Sequence, residues 1–258
     1  MSTNLRYARL DRLRGLALVW MAIFHFCFDL SHFNLIQANF YVDSFWTTQR
    51  TCILSLFLIC AGAGQAVATT QGQTWSRFWR RWAQVAGCAL LVSVGSRLMF
   101  PESYIYFGVL HGMAVMLLLV RVGAHFRLLK GGWLWPAGLL LVLLPHWIQN
   151  PFFDTRATNW VGLITHKPIT EDYVPILPWM GVMLWGLAAT QWILARHPEW
   201  LTDRPSENPS PHGKVALLHP AALLSLLGRW SLTFYMVHQP ILIGCLMAWM
   251  TLTGRPVP

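Results

Sequence analysis

Five polar side chains near the start of the chain fall on one side of a helix: Asp11, Arg14, His25, Asp29 and His32. Measured at about 100° per residue from Arg14, Asp11 and Asp29 lie at about 60°, His25 at about 20° and His32 at about 0°. With a rise of about 1.5 Å per residue, His25 stands about 16 Å from Arg14. Two further histidines sit in apolar surroundings: His238, with Tyr235 and Gln239 beside it, and His111, preceded by Tyr104, Tyr106 and Gly108. An imidazole at such a place takes a proton from a hydroxyl or amine as that group attacks an acyl carbon, or accepts the acyl group itself. Asp29, one turn from His25, is placed to hold the ring tautomer. Arg14 offers a charged fork for a phosphate-bearing donor, and Asp11 lies on its helix face. Arg77, Arg80 and Arg81 extend a positive funnel for the same anion.

Each residue also has a plainer reading. Arg14 and Asp11 can anchor a membrane interface, His25 and Asp29 can be a buried packing pair, and the arginine cluster can serve only to set topology. A lone intramembrane histidine is more often packing than catalyst. Three at middle depths, and five polar groups in one sector, point instead to a shared polar cavity, because a stripe of this kind must face protein or water rather than lipid.

The elements that must position these groups follow from composition. Of 258 residues, 55% are apolar and 11% charged, against roughly 25% charge in soluble domains. That excludes a soluble globule, disorder, collagen, a coiled coil and a small disulfide scaffold. The fold class is all-α: a polytopic transmembrane helical bundle forming a single integral-membrane domain over residues 1–258. About seven runs approach the length of about 20 residues that spans a bilayer: Gly15–Leu30, Thr51–Thr69, Trp82–Phe100, Ile105–Val122, Trp133–Ile148, Val174–Leu194 and Ser231–Leu252. Leu217–Leu227 is shorter and reads as an interfacial or re-entrant helix. Residues 196–214 read as a proline-rich cytoplasmic linker, and residues 149–173 as a long outer loop that could cover a site.

With the N-terminus cytoplasmic, fourteen of the 19 Lys and Arg fall on the inner side, and five on the outer: Arg50, Arg97, Arg156, Lys167 and Arg255. This is the positive-inside pattern. The net charge of +9 therefore faces anionic lipid and cytoplasm, and nucleic-acid binding is not needed to explain it. Tryptophans near the span ends form an aromatic belt. The five cysteines show no metal spacing and read as small packing residues; no metal site is expected.

Four segments carry a family resemblance: RLDRLRGLALVWMAIFHFCFDL at the first helix, YFGVLHGMAVMLLL around His111, ILPWMGVMLWG around Trp179 and LLGRWSLTFYMVHQPILIG around His238. They resemble bacterial proteins related to the catalytic domain of heparan-alpha-glucosaminide N-acetyltransferase (a domain of unknown function in bacteria). The spacing of Arg14 and His25 also matches the wider membrane acyltransferase superfamily. The resemblance implies an acyltransferase of the bacterial inner membrane. It would move an acetyl group from cytoplasmic acetyl-CoA to a sugar or cell-envelope glycan on the far side. His25 is the best catalytic match, with Arg14 as its partner; Asp29, His238 and His111 complete the catalytic candidates. Asp11, Arg14, Arg77, Arg80 and Arg81 are the donor-binding candidates, and His32, Tyr235 and Gln239 the substrate-binding ones. The chain is shorter than the lysosomal-type enzymes, whose active histidine lies further along, so His25 and His32 both stand as candidates. The Cys60–Ala66 segment lacks the serine expected after its first glycine. A proton-coupled permease using the same buried His and Asp groups is the alternative reading. An oligomer is compatible with either.

Overall fold

The computed structural model describes residues 7–202 and 219–255, and these described residues form eight α-helices. They are α1 (Ala8–His32), α2 (Ser44–Thr70), α3 (Trp75–Met99), α4 (Val109–His125), α5 (Leu134–Trp147), α6 (Ile176–Arg196), α7 (Pro220–Arg229) and α8 (Ser231–Leu252). The described residues contain no strand, only an isolated parallel bridge between Phe107 and Tyr173. Five helices, α1, α2, α3, α6 and α8, are long and apolar enough to cross a membrane, while α4 and α5 are apolar but shorter. All seven predicted runs are thus helical, and the protein is a polytopic all-α membrane protein.

The ends of the helices depart from the apolar runs for local reasons. α1 starts at Ala8, ahead of its apolar run, because helix propensity and intrahelical hydrogen bonds do not stop where hydrophobicity does. The helix expected from Ile105 begins only at Val109. Residues before it are extended and tied to the outer loop: Val174 N–H donates to the Phe107 carbonyl (3.1 Å) and Glu171 N–H to the Ser103 carbonyl (2.8 Å). The 149–173 loop is itself folded, with 3-10 turns at Pro151–Asp154 and Asn159–Val161. The expected linker lies, from residue 203 onward, outside the described residues. So do residues 217 and 218, at the start of the short helix that forms as α7.

Two compact units make up the described chain: residues 58–198, and residues 7–57 with 199–202 and 219–255. α2 contributes its first half to the latter and its second half to the former.

In the unit holding α1, α7 and α8, the helices α1 and α7 meet backbone to backbone. A Cβ at Gly15 would collide with the Leu224 carbonyl oxygen, and one at Gly228 with the Asp11 carbonyl oxygen. Only glycine lets two helices come so close. A core of Leu18, Met21, Phe24, Phe40 and Ile53 packs beside them. Further along, Phe33 packs with Leu246 and Met250. His25 lies opposite His238 and Phe33 opposite Leu246, so α1 and α8 run parallel, as the first and seventh of seven alternating spans would.

In the other unit α3 and α4 run antiparallel. Trp82 Nε1 donates to the Ala114 carbonyl (2.8 Å), and Ser93 lies against His111. α5 and α6 also pair, Trp185 Nε1 donating to the Trp135 carbonyl (3.1 Å).

Candidate active site

The polar stripe of α1 divides into a lower and an upper half. In the lower half Arg14 Nη1 bonds Asp11 Oδ1 at 3.3 Å, one turn away on the same helix. Asp11 is buried and Arg14 half-buried. The upper half faces α8. His25 Nδ1 lies 2.7 Å from His238 Nε2, and their rings stack with centroids 5.0 Å apart at 14°. One turn on, Gln239 Nε2 donates to Asp29 Oδ1 at 2.6 Å. Asp29 is only 3% exposed, and its other oxygen, Oδ2, has no hydrogen-bond partner among the described residues. A buried, unmet acceptor is destabilising by about 1–3 kcal/mol, so this atom favours an incoming N–H or O–H.

The tautomers of the histidine pair follow from one backbone group. His238 Nδ1 lies 2.7 Å from the Tyr235 carbonyl, and a carbonyl oxygen only accepts. His238 Nδ1 therefore carries the proton. In the neutral ring its Nε2 is then a bare acceptor, and His25 Nδ1–H must donate to it. That leaves the lone pair of neutral His25 on Nε2. The geometry is that of a base whose far nitrogen is oriented by a partner, with an imidazole where a triad has a carboxylate. Phe234 continues the stack, its ring 5.8 Å from His238 and 8° from parallel.

The remaining predicted residues have definite places. His32 is exposed at the end of α1. It lines a cavity of about 290 Å³ with Phe28, Ser31, Ala38, Asn39, Phe40 and Tyr41. Tyr235 packs its ring against His238, with centroids 5.8 Å apart, but its clearest polar contribution is its backbone carbonyl. His111 belongs to the unit of α3 and α4, and both of its nitrogens are engaged. Nδ1 accepts from Gly108 N–H at 3.3 Å and caps α4. Nε2 then donates to Ser93 Oγ at 3.0 Å, whose hydroxyl in turn donates to the Ile105 carbonyl at 2.7 Å. Arg77, Arg80 and Arg81 are exposed on the first turns of α3. Among the described residues no three His, Cys, Asp or Glu side chains converge as a metal would require.

The sequence reading did not pick out Phe234 or Gln49. Phe234 stands four residues before His238, the spacing that puts side chains on one helix face, and that signal was available. Gln49 accepts from Trp20 Nε1 at 2.8 Å, a pairing between distant segments with no local signature.

Fold and side chains together define a helical membrane protein with a buried polar cluster shared by its first and last apolar helices. Residues 6–240 match the family described as heparan-alpha-glucosaminide N-acetyltransferase, catalytic, and the chain belongs to that family. Membership implies membrane acetyltransferase activity in general, with acetyl-CoA as the family's donor. No curated protein and no solved structure matches the chain.

Proposed function

We propose that the protein takes an acetyl group from cytoplasmic acetyl-CoA and transfers it to an amine or hydroxyl of a sugar or cell-envelope glycan, in the bacterial inner membrane. The observation that carries this reading is the His25–His238 pair, with its tautomers set by the Tyr235 carbonyl. As the acceptor nitrogen or oxygen bonds to the thioester carbonyl carbon, His25 Nε2 takes its proton. The carbon–sulfur bond breaks and coenzyme A leaves as its thiolate, which takes up the proton held by His25 and restores the base. The positive charge that builds on His25 is shared through its Nδ1–H bond with His238. Asp29 Oδ2 receives an N–H or O–H of the acceptor and aligns it. Arg14, held by Asp11, serves the anionic donor. His32 fits a place on the approach of the acceptor.

The test uses purified full-length protein in vesicles, acetyl-labelled acetyl-CoA and amino-sugar or glycan acceptors. Label on the acceptor is the expected result. Folded protein that moves no label contradicts the reading. Proton-driven accumulation of solute without acetyl transfer would establish the permease reading instead.

A further inference from the structure

Two of the five basic residues outside the positive-inside pattern converge on one ring. Arg97 Cζ lies 4.9 Å from the centroid of Tyr104, and Arg156 Cζ lies 5.4 Å from the same centroid. Arg156 also covers Tyr106 at 5.6 Å. Two guanidiniums this close to one ring repel each other. Among the described residues neither guanidinium is within ion-pair distance of a carboxylate. Of the neighbouring acids, Glu171 accepts from the Ser103 hydroxyl (2.5 Å) and Asp172 from Val109 N–H (2.7 Å). Arg97 spends one donor on the Pro101 carbonyl (2.8 Å), and a guanidinium has five.

The space beside Arg97 has two characters. A cavity of about 420 Å³ is lined by Ser93, Val94, Arg97, Leu98 and Tyr104. Its polar end is the arginine and tyrosine. Its apolar wall is the flank of α3, where Leu98 is 80% exposed and Val94, Leu90 and Leu91 are also open, on a helix long enough to cross a membrane. The flank suits a hydrocarbon chain lying along α3. The two guanidiniums present planar donors of the kind that pair with phosphate, and Tyr104 is an amphipathic ring of the kind that favours a membrane–water boundary.

We propose that Arg97, Arg156 and Tyr104 form a binding site for the phosphate of an anionic membrane lipid, with its chain along Val94 and Leu98. The site holds independently of the acetyl-transfer reading, since it uses none of its residues.

The test is native mass spectrometry of the full chain, purified in neutral detergent and offered phosphatidylglycerol, phosphatidylcholine and dioleoylglycerol. Wild-type protein retains phosphatidylglycerol over the other two, and excess inorganic phosphate does not displace it. Arg97→Gln with Arg156→Gln weakens retention roughly 25-fold, at about fivefold for each charge near the membrane surface. Arg156→Gln alone, on the exposed loop, shows about a fivefold loss and serves if the double variant does not fold. Equal retention by the variants, equal retention of dioleoylglycerol, or displacement by inorganic phosphate would overturn the proposal.

Discussion

Tyr235 shows how the working atom of a residue can differ from the one its name suggests. A tyrosine beside a buried histidine invites a role for its phenol, but the contact that fixes His238 is the Tyr235 backbone carbonyl. Asp29→Asn is expected to weaken use of the acceptor. Asn keeps an oxygen for Gln239 but replaces the open acceptor Oδ2 with a donor. Steady-state kinetics should show a raised KM for acceptor with donor binding intact; a loss confined to the donor KM would assign Asp29 to the other substrate. The stripe itself was legible in the sequence, because a period of about 3.6 residues puts Asp11, Arg14, His25, Asp29 and His32 on one face. Which of them meet one another was not. Arg14 pairs within α1, whereas His25 and Asp29 are met by α8, over two hundred residues away.

At the scale of elements, the close approach of α1 and α7 is the feature most easily broken. Gly228→Ala puts a methyl into the Asp11 carbonyl oxygen and should destabilise the protein by about 1–3 kcal/mol. Gly244→Ala is the control, since a Cβ there meets open space and alanine favours a helix by up to about 1 kcal/mol. Thermal unfolding in detergent should move in opposite directions for the two; equal shifts would refute the backbone contact. The outer loop supplies a pH test. Asp154 accepts from Thr165 N–H (2.8 Å) and its hydroxyl (2.6 Å), and lies 3.5 Å from His166. These donors, the Thr165 hydroxyl foremost, hold its carboxyl below the usual 3.8. A carboxylate with a lowered folded pKa contributes stability above its unfolded value and loses it as pH falls through the folded one. Hydrogen exchange at Thr165 should stay slow at pH 4 and quicken only below the usual aspartate value; opening already above it would be inconsistent with this clip. Nothing in residues 105–108 announces an extended segment, because Ile105 and Phe107 suit a helix or a strand equally. The partner that decides, residues 171–174, is distant in sequence.

For the whole molecule, composition and charge arithmetic carried most of the information. Seven apolar runs became seven helices, and their alternation explains why α1 and α8 run parallel. The fifth run was already the shortest in the sequence, and α5 is accordingly the shortest of the seven helices; the division into two units was hidden, because it depends on contacts between residues far apart in the chain. The alternation makes a prediction for a cysteine-free background. Single cysteines at Asn39 and Thr253 should react with an impermeant reagent from the same side of the membrane, and cysteines at Gln71 and Arg127 from the opposite side. Labelling of Asn39 and Thr253 from opposite sides would contradict the seven-span path.

The central claim is that His25, oriented by His238, is the base for acetyl transfer. The most direct measurement compares transfer of labelled acetyl by wild type, His25→Ala, His238→Ala and His32→Ala proteins that melt alike. Removing a general base lowers the rate by about 10²–10⁴-fold. His25→Ala should show that loss, His238→Ala a smaller one, and His32→Ala should stay active. An active His25→Ala protein beside an inactive His32→Ala protein would contradict the account and move the chemistry to the end of α1.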